Sequence, residues 1–349
     1  MAHTGRAVVV GRCSVIESPL VVFASVPRLR SSDPAELLAA ASTGDRAAVA
    51  RLLTIVEQGG DHAAAVDRVT FAASGRAHSI GLTGSPGAGK STLTNALIAE
   101  ARAAGHRVGV LAIDPSSPFT GGAILGDRVR MGDHALDDGV FIRSMATRGH
   151  LGGLAVATPQ AVRVLDAVGF DLVLIETVGV GQVEVEVAGE ADTTVVVVNP
   201  GWGDAVQANK AGLMEIADVF VINKADRPGA ADTRRDLQQM LGLSASAGDG
   251  WQPPILDTVA TSGVGVAALW LELERHRRHL DSSGVLATRR ASRLLTELDR
   301  VVAARLAERV GRIATGDGYD AVGAEVVGRR LDPWSAADRL LDGATDPGG

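Results

Sequence analysis

Ser79-Ile-Gly-Leu-Thr-Gly-Ser-Pro-Gly-Ala-Gly-Lys-Ser-Thr92 is the stretch on which the fold turns. Its first five residues, Ser79 to Thr83, read as a short apolar strand. Gly84-Ser85-Pro86-Gly87-Ala88-Gly89-Lys90-Ser91 follows at once, and Thr92 to Ala104 has a helical pattern. This is G-x-x-x-x-G-K-S between a strand and a helix, the setting in which it works as a phosphate-binding loop. The glycines let successive backbone N–H groups turn inward at a helix N-terminus. Lys90 is placed to reach the β- and γ-phosphates, and Ser91 to offer its hydroxyl to Mg²⁺. With this chain's glycine, lysine and serine/threonine content, roughly 0.005 accidental matches are expected.

Outward from the loop, apolar runs and helical stretches alternate. The runs are Ser79–Thr83, Arg107–Ile113, Val140–Met145, Leu172–Glu176, Thr194–Val198, Val219–Asn223 and Ile255–Ala260. Continuous Val/Ile/Leu runs separated by helices predict a parallel-rich sheet covered on both faces, hence an α/β P-loop domain over 77–281. Before it, 31–76 reads as three helices: one capped by Ser32 or Asp33, one over Ala47–Glu57 and one over 61–74. After a turn at Asp281-Ser-Ser-Gly284, 282–349 reads as a helical arm. The arm has a long helix over 286–310, a break at Gly316-Asp-Gly318, short helices near 320–330 and 333–342, and a disordered tail from Asp342. Residues 1–30 fit either a strand or an upstream extension.

Asn223-Lys224-Ala225-Asp226 sits at the end of the sixth run. N-K-x-D there is the pattern that reads guanine. The Asp226 carboxylate accepts from guanine N1–H and the exocyclic amine, and adenine would leave it unpaired, a mismatch that discriminates strongly. The Lys224 stem lies along the purine plane, and Asn223 ties this loop to the phosphate loop. Val259 and Ala260, ending the next run, have backbone groups positioned for guanine O6. Of 34 basic residues only Lys90, Lys210 and Lys224 are lysines, and two of these fall inside the nucleotide motifs. Where only surface positive charge is needed, the chain writes Arg.

Glu176-Thr-Val-Gly179-Val-Gly181-Gln182 ends the fourth run. The acid there is expected to hold Mg²⁺ and the Gly179 N–H to touch the γ-phosphate; Gln182 is a candidate to orient the attacking water. Asp114 ends the second run, and Asp127 lies in a Gly-rich loop. A net charge of −7 argues against a general nucleic-acid binder. No apolar run approaches the roughly 18 residues of a membrane span. Cys13 is the single cysteine, so an internal disulfide or a thiolate metal cluster is impossible, and a reducing, cytoplasmic setting fits.

Several stretches together resemble the MeaB/ArgK GTPases. They are Gly84–Thr92, Val110–Ser117, Thr120–Arg128, Phe141–Arg143, Leu151–Gly153, Ala167–Asp171, Ile175–Gln182 and Asn223–Asp226. The resemblance implies a G domain with an N-terminal helical extension and a C-terminal helical dimerisation arm. It implies a homodimeric GTP/GDP-binding chaperone of a cobalamin-dependent acyl-CoA mutase that gates adenosylcobalamin loading and protects the enzyme. By the same match Ser91, Asp114, Asp127 and Glu176 hold Mg²⁺. The segment Asn199 to Lys210, with Gly203 and Asp204, would signal nucleotide state to the mutase. Residues 144–150 and 199–209 depart from the family pattern, so the mutase could act on another branched acyl-CoA. The implied reaction is GTP hydrolysis by direct water attack, with catalysis by Lys90 and Glu176 alongside the metal. Three other readings remain open: a metallochaperone-type GTPase, an ATP-using kinase or transport ATPase, and a nucleotide-binding module with negligible turnover.

Overall fold

The computed structural model describes residues 33–114, 134, 136–146, 151–177, 190–202, 207–243, 250–313 and 317–345. Seven strands form one parallel sheet: β1 His78–Gly84, β2 Val108–Asp114, β3 Val140–Ala146, β4 Leu172–Thr177, β5 Thr193–Val198, β6 Val219–Asn223 and β7 Ile255–Thr258. Their order is β3-β2-β4-β1-β5-β6-β7, with every pairing parallel. All seven apolar runs are therefore strands. The last is shorter than its sequence suggests: Val259 makes only an isolated antiparallel bridge to Val264.

Every residue of β4, β5 and β6 is buried, as expected where helices cover both faces. Side chains alternate between the faces. Leu172 and Leu174 of β4, Val195 and Val197 of β5 and Val219 and Val221 of β6 meet helix α4 (Lys90–Ala103) and, later in the chain, α8 (Val266–Ser283). On the other side Leu111, Val173 and Ile175 pack under α1 (Pro34–Ser42), α2 (Arg46–Gln58) and α5 (Leu151–Ala167). Val196, Phe220 and Ile222 pack with α6 (Gln207–Ile216) and α7 (Ala230–Leu243). Helix α3 (Gly60–Thr70), ending in a 3₁₀ turn over Phe71–Ala73, completes the N-terminal trio, whose Leu37, Leu52, Leu53 and Val66 share one core with the sheet. Asp33 caps α1 and Asp45 caps α2, each accepting backbone N–H groups of the first turn.

The C-terminal arm comprises α9 (Val285–Ile313), α10 (Asp317–Val327) and α11 (Pro333–Thr345). Three expectations change here. Asp317 and Gly318, read as part of a break, begin α10. Asp281 to Ser283 belong to α8, and only Gly284, at φ 72°, interrupts the helix. Residues 342–345, expected to be disordered, continue α11. Helix α9 is fastened to the lower end of the sheet by arginines. Arg290 and Arg293 both bond Asp192, at 2.5 Å each, while Arg289 reaches Asp218 at 3.0 Å and Arg300 reaches Glu190 at 2.7 Å. These arginines hold Asp192, whose carboxylate is 2% exposed, below the usual carboxylate range against the opposing effect of burial. Beside them His78 bonds Thr193, which bonds His276, at 2.8 Å each. Burial, the largest influence, pushes His78 down to about 3.

Candidate nucleotide site

The strand periodicity decides which residues meet above the sheet. Glu176 lies on the same face of β4 as Leu172 and Leu174, and Asn223 on the same face of β6 as Val219 and Val221. Both therefore point toward α4 and the loop that precedes it.

That loop is held tightly at its base. Gly84, at φ 128°, pairs with Val197, and a Cβ there would lie 2.0 Å from the Val197 carbonyl oxygen. Gly89 sits at φ 92° as the residue before α4, and its Cβ would fall 2.5 Å from Asn223 Nδ2. No side chain caps α4, so its first N–H groups face the loop, the arrangement that receives an anion. The Lys90 Nζ, buried, donates to the Gly84 carbonyl at 2.8 Å and to that of Ser85 at 3.2 Å. It lies over the loop where phosphate oxygens would take over these bonds. At the next residue of α4, the Ser91 hydroxyl donates to Glu176 Oε1 at 2.5 Å, and Glu176 is 1% exposed.

Asn223 joins three segments. Its Nδ2 donates to the Ala88 carbonyl at 2.8 Å, and its Oδ1 accepts from the Thr258 hydroxyl and the Ala260 N–H, both at 3.1 Å. Lys224, in the left-handed region at φ 59°, donates from Nζ to the Gly87 carbonyl at 2.6 Å. The Ala225 N–H donates to the Thr258 carbonyl at 3.1 Å. Asp226 is exposed beside them. The Val259 N–H donates to the Val264 carbonyl at 2.9 Å, so it and the Ala260 N–H are engaged in this conformation, and guanine O6 would have to compete for them.

The structure thus brings together Gly84 to Thr92, Glu176, Asn223, Lys224, Asp226, Val259 and Ala260. Asp114 ends β2, beside β4, through the Ile113–Thr177 pairing. Asn199 follows β5 and its carbonyl accepts from the Trp202 N–H; Lys210 lies in α6. Asp127, Gly179, Gln182, Gly203 and Asp204 lie outside the described residues. Thr258 is a positioning residue that the sequence motifs do not single out: its hydroxyl holds Asn223. A hydroxyl at the end of the strand after N-K-x-D was the available signal.

A P-loop entering a helix, a buried acid behind its serine, and N-K-x-D bridged to the loop on a parallel sheet define a P-loop GTPase. Comparison with known proteins makes the assignment finer. Residues 49–315 match the family described as methylmalonyl-CoA mutase-associated GTPase MeaB, and the chain belongs to that family. A protein of Pyrococcus horikoshii named as a GTPase is 50% identical over 309 residues, covering 88% of this chain and 97% of the relative. The GTPase ArgK of Escherichia coli is 38% identical, covering 70% and 76%. The mouse methylmalonic aciduria type A homolog, a mitochondrial protein, is also 38% identical, over 60% of this chain and 52% of its own length. A crystal structure titled LAO/AO transport system kinase superposes with a TM-score of 0.66 at 26% identity, covering 90% of this chain and 98% of that one. Among the described residues no helix is long and apolar enough to cross a membrane, and no group of three His, Cys, Asp or Glu stands together as a metal site.

Proposed function

We propose that this GTPase is a chaperone of a cobalamin-dependent acyl-CoA mutase, using GTP binding and hydrolysis to gate adenosylcobalamin loading and protect the enzyme. The observation that carries the nucleotide half is the double tether of the phosphate loop, to Glu176 through Ser91 and to the guanine motif through Asn223. The mutase half rests on the family's description.

The donor set suits a hard divalent cation, since a hydroxyl and a carboxylate meet in a buried position. Ser91 and Glu176, with Asp114 and Asp127, would hold Mg²⁺. A metal held there would supply positive charge that offsets the charge building on the transferring phosphate. Lys90 exchanges its loop carbonyls for the same oxygens, and the uncapped N–H groups of α4 face the phosphates. A water oxygen attacks the γ-phosphorus, the bond to the β–γ bridging oxygen breaks, and the water's proton passes to the departing phosphate. Gly179 would donate to the γ-phosphate and Gln182 would orient the water. In this reading intrinsic turnover is slow, and binding of the mutase, which completes the site, accelerates it.

Asn199, Gly203, Asp204 and Lys210 would carry the nucleotide state to the mutase. A second copy would cover the arm: Leu295, Leu298, Val302, Leu306 and Val310 are all exposed and recur along α9 every three or four residues.

Calorimetry with Mg²⁺ tests the guanine reading: GDP binds, ADP is silent, and Asp226→Asn abolishes GDP binding. Equal binding of ADP and GDP refutes it. Capture of a purified acyl-CoA mutase, with GTP turnover rising on its addition, tests the chaperone reading. A turnover of several per second without any partner contradicts it.

A further inference from the structure

Asp226 is exposed, so the placement of its carboxylate rests on the backbone of its loop. One end of that loop is held by the bonds of Asn223 and by the Ala225 N–H on the Thr258 carbonyl. The Arg227 N–H then turns back to the Lys224 carbonyl at 3.0 Å. At the other end Gly229, at φ 92°, offers its carbonyl to the N–H of Thr233, in the first turn of α7, at 3.0 Å. A Cβ on Gly229 would lie 3.7 Å from Pro200 Cβ and 3.9 Å from the Gly201 nitrogen, so the loop after β5 runs alongside. One hydrogen bond fastens the two: the Gly201 N–H donates to the Thr233 hydroxyl at 3.3 Å. Thr233 is 2% exposed, so water does not compete for that bond.

Thr54, Thr70 and Thr94 also lie within helices, and each returns its hydroxyl to the carbonyl four residues earlier. The Thr233 hydroxyl instead reaches across to the loop after β5. That loop is itself rooted. The Trp202 N–H closes a turn on the Asn199 carbonyl at 3.1 Å, and its buried side chain shares a core with Leu213 of α6 and Leu237 of α7. We propose that Thr233 is a positioning residue for guanine recognition: by fixing the rooted loop against Gly229, it sets where Asp226 meets the base. Thr233 acts through Asp226, so this role rests on Asp226 reading guanine as proposed above. Coupling between two sites is reciprocal. A bound guanine base therefore steadies Asn199 to Trp202, the start of the segment proposed to carry the nucleotide state.

The test is calorimetry on the full chain with Mg²⁺, using GDP and inosine diphosphate. Inosine diphosphate keeps both phosphates and the N1–H but lacks the exocyclic amine, so the preference for GDP over it reads the placement of Asp226. Thr233→Val should weaken GDP about fivefold, the equivalent of one hydrogen bond, and inosine diphosphate less than about twofold. Thr233→Ser, which keeps the hydroxyl, should bind both as the wild type does. Hydrogen exchange over 199–202 should slow on GDP binding in the wild type and in Thr233→Ser, and should not respond in Thr233→Val. Circular dichroism reports that each variant is folded. Equal weakening of the two nucleotides in a folded Thr233→Val protein, or weakening of neither, overturns the proposal. So does exchange over 199–202 that ignores GDP in the wild type. Equal binding of the two nucleotides by the wild type refutes the guanine reading itself and this role with it, so the two failures are distinguishable.

Discussion

Asn223→Ala is the perturbation that most directly tests how the nucleotide loops are held. Asn223 is 2% exposed and makes three hydrogen bonds of 3.1 Å or less, to Ala88, Thr258 and Ala260, besides a long one to the Gly89 carbonyl at 3.5 Å. Each is worth about 1 kcal/mol net, so their loss costs about 3 kcal/mol of folding stability. The Thr258 hydroxyl and Ala260 N–H, both engaged at buried positions, would be stranded, which moves the figure upward rather than down. Loss of the Ala88 bond also frees the crest of the phosphate loop, so GDP affinity should fall by at least about a hundredfold, close to the same 3 kcal/mol. Asn223→Asp separates these effects. It preserves the acceptor facing Thr258 and Ala260 but turns an oxygen toward the Ala88 carbonyl, so GDP binding should suffer more than can be explained by one lost bond. Thr258→Val removes one partner while Ala260 remains; stability should drop about 1 kcal/mol and GDP affinity less than fivefold. Urea unfolding and GDP calorimetry on the variants provide the readout. A folded Asn223→Ala protein within 1 kcal/mol of wild type and within threefold in GDP affinity would refute the bridging role.

Three further outcomes are expected. Gly84→Ala drives a Cβ to 2.0 Å from a backbone oxygen at φ 128°, so stability should fall by at least about 3 kcal/mol in chemical denaturation; a loss under 1 kcal/mol would contradict this packing. Asp192→Asn leaves Arg290 and Arg293 without their carboxylate and should destabilise by about 3–5 kcal/mol, with the arm loosening first in hydrogen exchange; uniform protection across α9 would count against the tether. His78 is ordinarily near 6.5 and sits at about 3 when folded, so below 6.5 the unfolded chain binds the extra proton and stability declines as pH falls toward 3, by no more than about 1.4 kcal/mol per unit. Denaturation midpoints across that window, compared with His78→Gln, should show a shallower slope in the variant; identical slopes would remove His78 as the cause.

The sequence by itself determined the parallel sheet and the two nucleotide motifs. Uninterrupted Val/Ile/Leu runs signal strands buried on both faces, and Gly84 to Ser91 and Asn223 to Asp226 are contiguous patterns whose chemistry depends on neighbours in the chain. The helix start at Asp33 was legible for the same reason, because a cap is a local contact. Local signals misjudged Asp281 to Ser283, where polar turn-forming residues continue a helix whose apolar side is anchored by Leu273 and Leu280. What only the tertiary structure decided are contacts between residues far apart in the chain. Thr258 holds Asn223, and the arginines of α9 converge on Asp192 and Asp218. Local patterns fix which backbone groups can pair and which face of a strand is apolar; they carry no information about which distant side chain arrives to satisfy a buried polar group.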